Sequence, residues 1–284
     1  MRLDEAIDGF LTAAEFEYGY SPHTIKAYRR DLSDLAAFTV ADDPEAAPGS
    51  LELELVDLEL LRAWLWERQQ RGLSAGTLAR NVASLKSFGN WLEHRRLVPG
   101  NPASRLRAPK KAQPLPRVLS EGQIDQILAR AGARARGGDP AALRDRAVLE
   151  TLYATALRVS ELCGLPVTGL DLRQRTVRVV GKGNKERIVP LGAPAAQALA
   201  DYLERGRPAL RARAIEAASG PNPTARAGIG TGAEASTALF LGNGGESLKT
   251  HTVYRLVARE LEQEPGSGPR GPHTLRHTAA THLL

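Results

Sequence analysis

Residues 107–117, Arg-Ala-Pro-Lys-Lys-Ala-Gln-Pro-Leu-Pro-Arg, put three prolines and four cations into eleven positions. Proline fixes φ and carries no backbone N–H, so this run forms neither a helix nor a central strand. It reads as an extended linker. It divides the 284-residue chain into two parts of ordinary domain size, 1–106 and 118–284. Their charges differ. Residues 1–106 carry 12 Lys/Arg against 16 Asp/Glu, a balance of −4, whereas residues 107–284 carry 26 against 16, a balance of +10. A basic half favours a polyanionic partner through counterion release, and a linker that is itself basic suits a phosphate backbone. The same charge also suits a merely solvated surface.

Composition removes several function classes. The single cysteine, Cys163, excludes an internal disulfide and a thiolate metal cluster. It lies in the apolar run Leu162-Cys163-Gly164-Leu165 and reads as a core residue. The acidic, amphipathic N-terminus is no signal peptide. No stretch reaches 18 apolar residues, so no membrane partner is expected and a cytoplasmic location is the simplest inference. With only three Trp and five Phe, Leu, Val and Ala must fill most of the core, as in helical proteins.

Helical periodicity organises the first part. Leu3, Ile7, Phe10, Leu11 and Ala14 share one face, and Ser21-Pro22 opens a helix through Tyr28, Leu32, Leu35 and Phe38. Residues 41–50 form a loop, and Leu51–Leu55 alternate like a strand without a partner. Asp57 caps a third helix, and Ser74 or Thr77 opens a fourth, giving a four-helix unit. In the second part, Ser120 and Gln123 make a capping box, and helices are predicted at 121–131, 142–153, 194–205 and 249–262. Residues 176–180 and 186–190 flank Gly181-Lys182-Gly183-Asn184 as a β-hairpin. A loop over 211–236, a short strand at 239–241 and a final helix carrying His273 near its start complete the pattern. The fold class is mainly α, with a mixed α+β second domain holding a small antiparallel sheet.

The candidate chemistry is basic and dispersed. Arg158 stands in Tyr153-Ala-Thr-Ala-Leu-Arg158-Val-Ser-Glu161-Leu, Lys182 sits between two glycines, and His273, Arg276 and His277 share a helix face at i, i+3 and i+4. Two guanidinium groups, a lysine and histidines can hold one phosphate and protonate an oxygen leaving it. Each also has a plainer reading. Arg158 can form a helix ion pair with Glu161, Lys182 can be a solvated turn residue, and His273 can cap its helix. Alternatively Glu161 orients Arg158 or a nearby histidine. A zinc hydrolase on His273 and His277 is a third class, but Thr274 stands where the zincin signature needs Glu, and no Asp or Glu occurs in 265–284. In the first domain Thr24, Lys26, Arg29 and Arg30 follow Ser21-Pro22, and Thr77, Arg80, Asn81 and Lys86 lie on the fourth helix. With Lys110 and Lys111 of the linker, they are candidates for contacts to phosphates and a major groove.

Taken together, these segments resemble the tyrosine recombinases of the phage integrase family. The resemblance is nearest to its Xer branch of chromosome-dimer resolvases, XerC more than XerD. The matching stretches are Ser21-Pro22-His-Thr-Ile-Lys-Ala-Tyr28, Gly72-Leu-Ser-Ala-Gly-Thr-Leu-Ala-Arg80, Leu143-Arg-Asp-Arg-Ala-Val-Leu, the Arg158 segment, Gly181-Lys-Gly-Asn-Lys-Glu-Arg-Ile-Val-Pro-Leu191 and Pro272-His-Thr-Leu-Arg276-His. They occur in the family order along nearly the whole chain. The resemblance implies an N-terminal core-binding, SAM-like domain and a catalytic domain. Arg158 and Arg276 would clamp a scissile phosphate, Lys182 would protonate the departing 5′ oxygen, and His273 would act as acid/base, with Glu161 and His277 in support. It implies a 3′-phosphotyrosine intermediate that needs neither ATP nor metal. The implied partners are a duplex recombination site, a second, XerD-like recombinase in a heterotetramer, and a DNA translocase. The family's further His or Trp and its nucleophilic Tyr lie beyond the segment matched by Pro272–Leu284, and none of the tyrosines at 18, 20, 28, 153, 202 and 254 takes that position. These 284 residues are therefore expected to be a truncated form that binds DNA better than it cuts it. The alternative is a non-catalytic DNA-binding relative.

Overall fold

The computed structural model describes residues 1–41, 45, 47–110, 117–181, 185–219 and 237–282. The chain divides into two compact units, Met1–Gln113 and Pro114–Leu284. Lys111 and Lys182 lie outside the described residues, as do 220–236 of the expected loop.

The first unit holds α1 (Leu3–Phe16), α2 (Pro22–Phe38), α3 (Leu58–Gln70) and α4 (Ala75–His94). The caps are those the sequence offers. Ser21 Oγ accepts from Thr24 N–H at 3.2 Å, Asp57 Oδ1 from Leu60 N–H at 2.8 Å and Ser74 Oγ from Thr77 N–H at 3.2 Å. Of the two candidate caps for α4, Ser74 is therefore the one used. Phe10 anchors the core, its ring centroid 5.5 Å from that of Phe88 and 6.0 Å from that of Trp91. Gly9 lets α1 approach α4 closely, since a Cβ there would stand 3.0 Å from the Trp91 ring.

Leu51–Leu55 is not a strand. A short 3-10 turn occupies Leu53–Leu55, and the preceding backbone pairs with the first residues of the chain through an isolated bridge, Arg2↔Glu52. Leu3 N–H donates to Leu51 O and Leu53 N–H to Met1 O, both at 2.9 Å. The alternation of the sequence does not carry into burial, since Leu53 is buried whereas Leu55, which would share its face in a strand, is exposed; two residues of partner cannot sustain a ladder.

In the second unit, α5 (Glu121–Ala135) opens with the Ser120/Gln123 box. Asp139 and Pro140 start α6 (Pro140–Thr155). This helix is the centre of the unit and packs against α5 and the later helices. It ends at Ala156 in the left-handed region, φ +49°. After α7 (Val159–Cys163) comes a three-stranded antiparallel sheet of β1 (Leu170–Asp171), β2 (Thr176–Val180) and β3 (Glu186–Pro190), in the order β1-β2-β3. The expected hairpin is present in a register running from Thr176↔Pro190 to Val180↔Glu186, and Val177 and Val179 face the core. β1 escaped the sequence reading because two residues carry no periodicity.

The helix predicted at 194–205 runs on. α8 (Ala193–Asp201) passes through a widened π turn (Tyr202–Gly206) into α9 (Arg207–Ser219), so residues 211–219 are helix, not loop. Alanine and arginine are strong helix formers, and the widened turn falls just before Pro208, which has no N–H for the regular bond. The strand expected at 239–241 reduces to isolated bridges, Pro166↔Ala238 and Leu241↔Ser247. α10 (Thr250–Glu262) and α11 (Pro272–His282) follow. Among the described residues no helix is long and apolar enough to cross a membrane.

Candidate functional site

The left-handed Ala156 turns the chain sharply off α6, Leu157 drops into the core, and Arg158 emerges at the head of α7 with 56% of its side chain exposed. Glu161, one turn on, is its opposite: only 6% of its side chain is exposed. Its Oε2 accepts from the Arg158 N–H at 2.9 Å, and its Oε1 from Arg158 Nη1 at 3.0 Å. The ion pair that the sequence offers between Arg158 and Glu161 is present. Arg187 on β3 adds a fork to the same carboxylate, Nη1 to Oε1 at 3.1 Å and Nη2 to Oε2 at 2.8 Å. Burial alone would raise the Glu161 pKa. The hydrogen bonds from Arg187 and Arg158 outweigh it and hold the carboxyl down at about 2.

Arg187 was missed by the sequence reading. A signal existed in the hairpin register: Arg187 stands directly opposite Val179, and cross-strand partners share a face. Val179 points inward, so Arg187 begins on that side.

On α11, His273 and His277 are exposed and Arg276 is half-buried, while Thr274 and Thr278 turn into the core. Thr278 Oγ1 accepts from Leu119 N–H at 3.1 Å, and the far end of α11 is tied to α6 by a 3.0 Å hydrogen bond between Tyr153 Oη and His282 Nδ1. Arg276 Nη1 is buried and has no acceptor among the described residues. α7 and α11, which carry Arg158 and Arg276, lean on the same two supports, α6 and α10. Lys182 lies outside the described residues; on either side of it in the sequence, Gly181 N–H donates to Lys185 O at 2.8 Å. Among the described residues no three His, Cys, Asp or Glu side chains gather as a metal-ligand group.

The N-terminal candidates separate into two sets. Lys26, Arg29, Arg30 and Lys110 are exposed, and Thr24, Thr77 and Lys86 are half-buried. Arg80 and Asn81 are directed inward instead. Arg80 bonds the Asp31 carboxylate, and Asn81 is fully buried, its Oδ1 accepting from Arg68 Nε at 3.0 Å. The reading of Asn81 as a groove-facing residue is corrected: four helices packed around apolar side chains leave Asp31 and Arg68 needing partners, and Arg80 and Asn81 supply them. Within the linker, Arg117 is likewise buried, its Nη2 donating to Glu264 O at 3.0 Å and Pro265 O at 2.9 Å. A feature the sequence reading passed over is an open groove of about 830 Å³ in the first unit, lined by Arg62, Trp66, Lys86, Arg105 and Arg107 among others. Trp64 and Trp66 stand two residues apart on a helix and so cannot share a face; Trp64 is buried and Trp66 is 62% exposed.

The Phage integrase family matches residues 117–284, and the phage integrase N-terminal SAM-like domain matches residues 7–96. A "Tyrosine recombinase XerC" of Mycobacterium sp. (strain JLS) is 42% identical over 282 residues, covering 99% of this chain and 86% of the relative. One of Mycobacterium leprae (strain TN) is 40% identical over 278 residues, covering 98% and 84%. Among solved structures, a lambda integrase dimer bound to a COC′ core site aligns with TM-score 0.64 at 16% identity, covering 99% of this chain and 89% of that one. The Tn1549 transposon integrase in complex with circular intermediate DNA aligns with TM-score 0.63 at 21% identity, covering 100% and 87%. At those identities the structures establish the fold, and the sequence matches establish kinship: the chain belongs to the phage integrase family, the tyrosine recombinases.

Proposed function

We propose that this chain is a site-specific DNA recombinase of the XerC kind, working on duplex recombination sites to resolve chromosome dimers through a 3′-phosphotyrosine. The observation that carries this reading is Arg276. Its Nη1 is a buried donor without an acceptor among the described residues, on the helix that also presents His273. Leaving such a donor unpaired costs about 1–3 kcal/mol, and a phosphate oxygen is an acceptor of the right charge. Arg158, held through Glu161 yet exposed, supplies the second guanidinium. In this reading the two arginines neutralise the charge that builds on the phosphorus-bound oxygens in the transition state. Lys182 protonates the 5′ oxygen as it departs, and His273 exchanges a proton with the attacking or leaving group, with His277 beside it. Lys26, Arg29, Arg30, Thr24, Thr77, Lys86, Lys110 and Lys111 contact phosphates or groove edges.

The attacking tyrosine is assigned to none of the tyrosines of these 284 residues. Tyr202 is fully buried and Tyr153 is engaged by His282. We assign binding of the site, and no covalent step, to the residues described above. The partners are a second, XerD-like recombinase in a heterotetramer and a DNA translocase, and the setting is the cytoplasm.

The test is a nicked suicide duplex carrying a Xer-type core site, incubated with this chain and run on a denaturing gel beside a mobility-shift assay. A shift without a covalent band is the expected result. A covalent band would overturn the account of the nucleophile. No shift at low salt would overturn the assignment to DNA.

A further inference from the structure

We infer that Arg187 is a positioning residue for Arg158, acting through Glu161 and locking β3 to the head of α7. The inference rests on the reading of Arg158 as a phosphate ligand. Its physical basis is saturation of one carboxylate. Each Glu161 oxygen accepts twice: Oε1 from Arg158 Nη1 and Arg187 Nη1, Oε2 from the Arg158 N–H and Arg187 Nη2. A carboxylate offers about four lone-pair sites, so no further donor is needed and the group has no freedom to turn.

The division of labour follows from exposure. The Arg158 side chain is 56% exposed, and a long exposed arginine ordinarily samples many rotamers, so its single bond to Glu161 would fix it weakly. Glu161 can fix it only if Glu161 itself is fixed, and Arg158 cannot do both. Arg187 supplies the missing restraint as a planar fork, a geometry an ammonium cannot copy. The fork starts on β3, one residue into a strand that follows Lys182 by four positions in the sequence. The contact therefore also ties β3 to the head of α7. Two segments distant in sequence, Arg158–Cys163 and Glu186–Pro190, meet at one carboxylate.

The experiment follows the Arg158 Nε–H and Glu161 carboxyl NMR signals of the isotope-labelled 284-residue chain, with inorganic phosphate as the probe. In the unaltered chain the Arg158 signal should shift saturably with phosphate. Arg187→Gln should weaken that response about tenfold and move the Glu161 titration midpoint up towards the ordinary range. Arg187→Lys should recover only part of the phosphate affinity. Unchanged phosphate affinity at Arg158 in Arg187→Gln overturns the inference; should that variant fail to fold, full affinity in Arg187→Lys overturns it instead. If phosphate leaves Arg158 untouched in the unaltered chain, the phosphate reading itself fails. The positioning link is then decided by the Arg158 signal alone. Movement to the free-arginine position in Arg187→Gln upholds it, and an unmoved signal overturns it.

Discussion

Arg80 on α4 bonds the carboxylate of Asp31 on α2, a carboxylate with no solvent exposure. A buried pair is worth little net, yet breaking it by removing one partner strands the other charge. Asp31→Ala should lower the stability of the N-terminal unit by about 3 kcal/mol, the lower part of the range for a buried pair, because Arg80 keeps 28% exposure. All three tryptophans, Trp64, Trp66 and Trp91, lie in this unit. Urea unfolding followed by tryptophan fluorescence therefore reads it selectively. Arg80→Ala should act in the same way; weaker DNA binding with an unmoved midpoint would show that Arg80 serves DNA and not Asp31.

The exposed cations of α2 should behave in the opposite manner. Lys26, Arg29 and Arg30 are exposed, and among the described residues the one ion pair involving them, Arg29 with Asp8, is long at 3.9 Å. Arg29→Ala and Arg30→Ala should leave the unfolding midpoint within about 0.5 kcal/mol. Each should weaken duplex binding and reduce the slope of log affinity against log salt by about one. Fluorescence anisotropy at several salt concentrations measures both quantities; an unchanged slope removes these residues from the DNA face.

Glu161 gives a pH signature of definite sign. Its folded pKa, about 2, lies below the ordinary 4.5. The carboxylate therefore contributes stability in full above about pH 4.5, and that contribution drains away as pH falls towards 2. The melting temperatures of the unaltered chain and Glu161→Gln should differ most at neutral pH and converge across that window. A difference that stays constant from pH 6 to pH 3 would mean that the carboxylate is not held by Arg158 and Arg187.

Ala156 is the turn that delivers Arg158, and it sits at φ +49° and ψ +31°. A Cβ in this region costs roughly 1–2 kcal/mol, while glycine loses about 0.5–1 kcal/mol more backbone entropy on folding. Ala156→Gly should therefore stabilise the C-terminal unit by up to about 1 kcal/mol, read by circular dichroism during thermal unfolding. A loss of stability would mean that the alanine methyl packs to more advantage than its strain costs.

What was legible in the sequence tracks how local the cause is. Ser21, Asp57, Ser74 and Ser120 announce their helices because a cap is a contact between residues three apart. The β2–β3 hairpin was readable because a short glycine-containing turn joins two strands that are neighbours in sequence. α9 was lost because residues 211–219 were weighed together with the Gly- and Pro-rich composition of 211–236, although they hold neither Gly nor Pro and continue a helix that begins at Arg207. The site was legible as residue types in order, but not as a network. Nothing within a window of ten residues says that Arg187 reaches Glu161, 26 positions away, or that Asn81 turns inward to Arg68.

Arg276 offers the sharpest separation of function from stability. Arg276 Nη1 is buried without an acceptor among the described residues, a standing cost to the folded chain that a bound phosphate would relieve under the proposed function. Met keeps the long apolar stem and removes the stranded donor. Arg276→Met should therefore fold at least as well as the unaltered chain, with a gain of about 1 kcal/mol, while losing affinity for a duplex recombination site. Thermal unfolding without DNA and anisotropy with DNA give the two readings. Adding duplex should raise the melting temperature of the unaltered chain more than that of the variant, since binding to the folded state stabilises it in proportion to affinity. Loss of stability together with unchanged binding would make Arg276 an ordinary structural residue and remove one half of the proposed phosphate clamp.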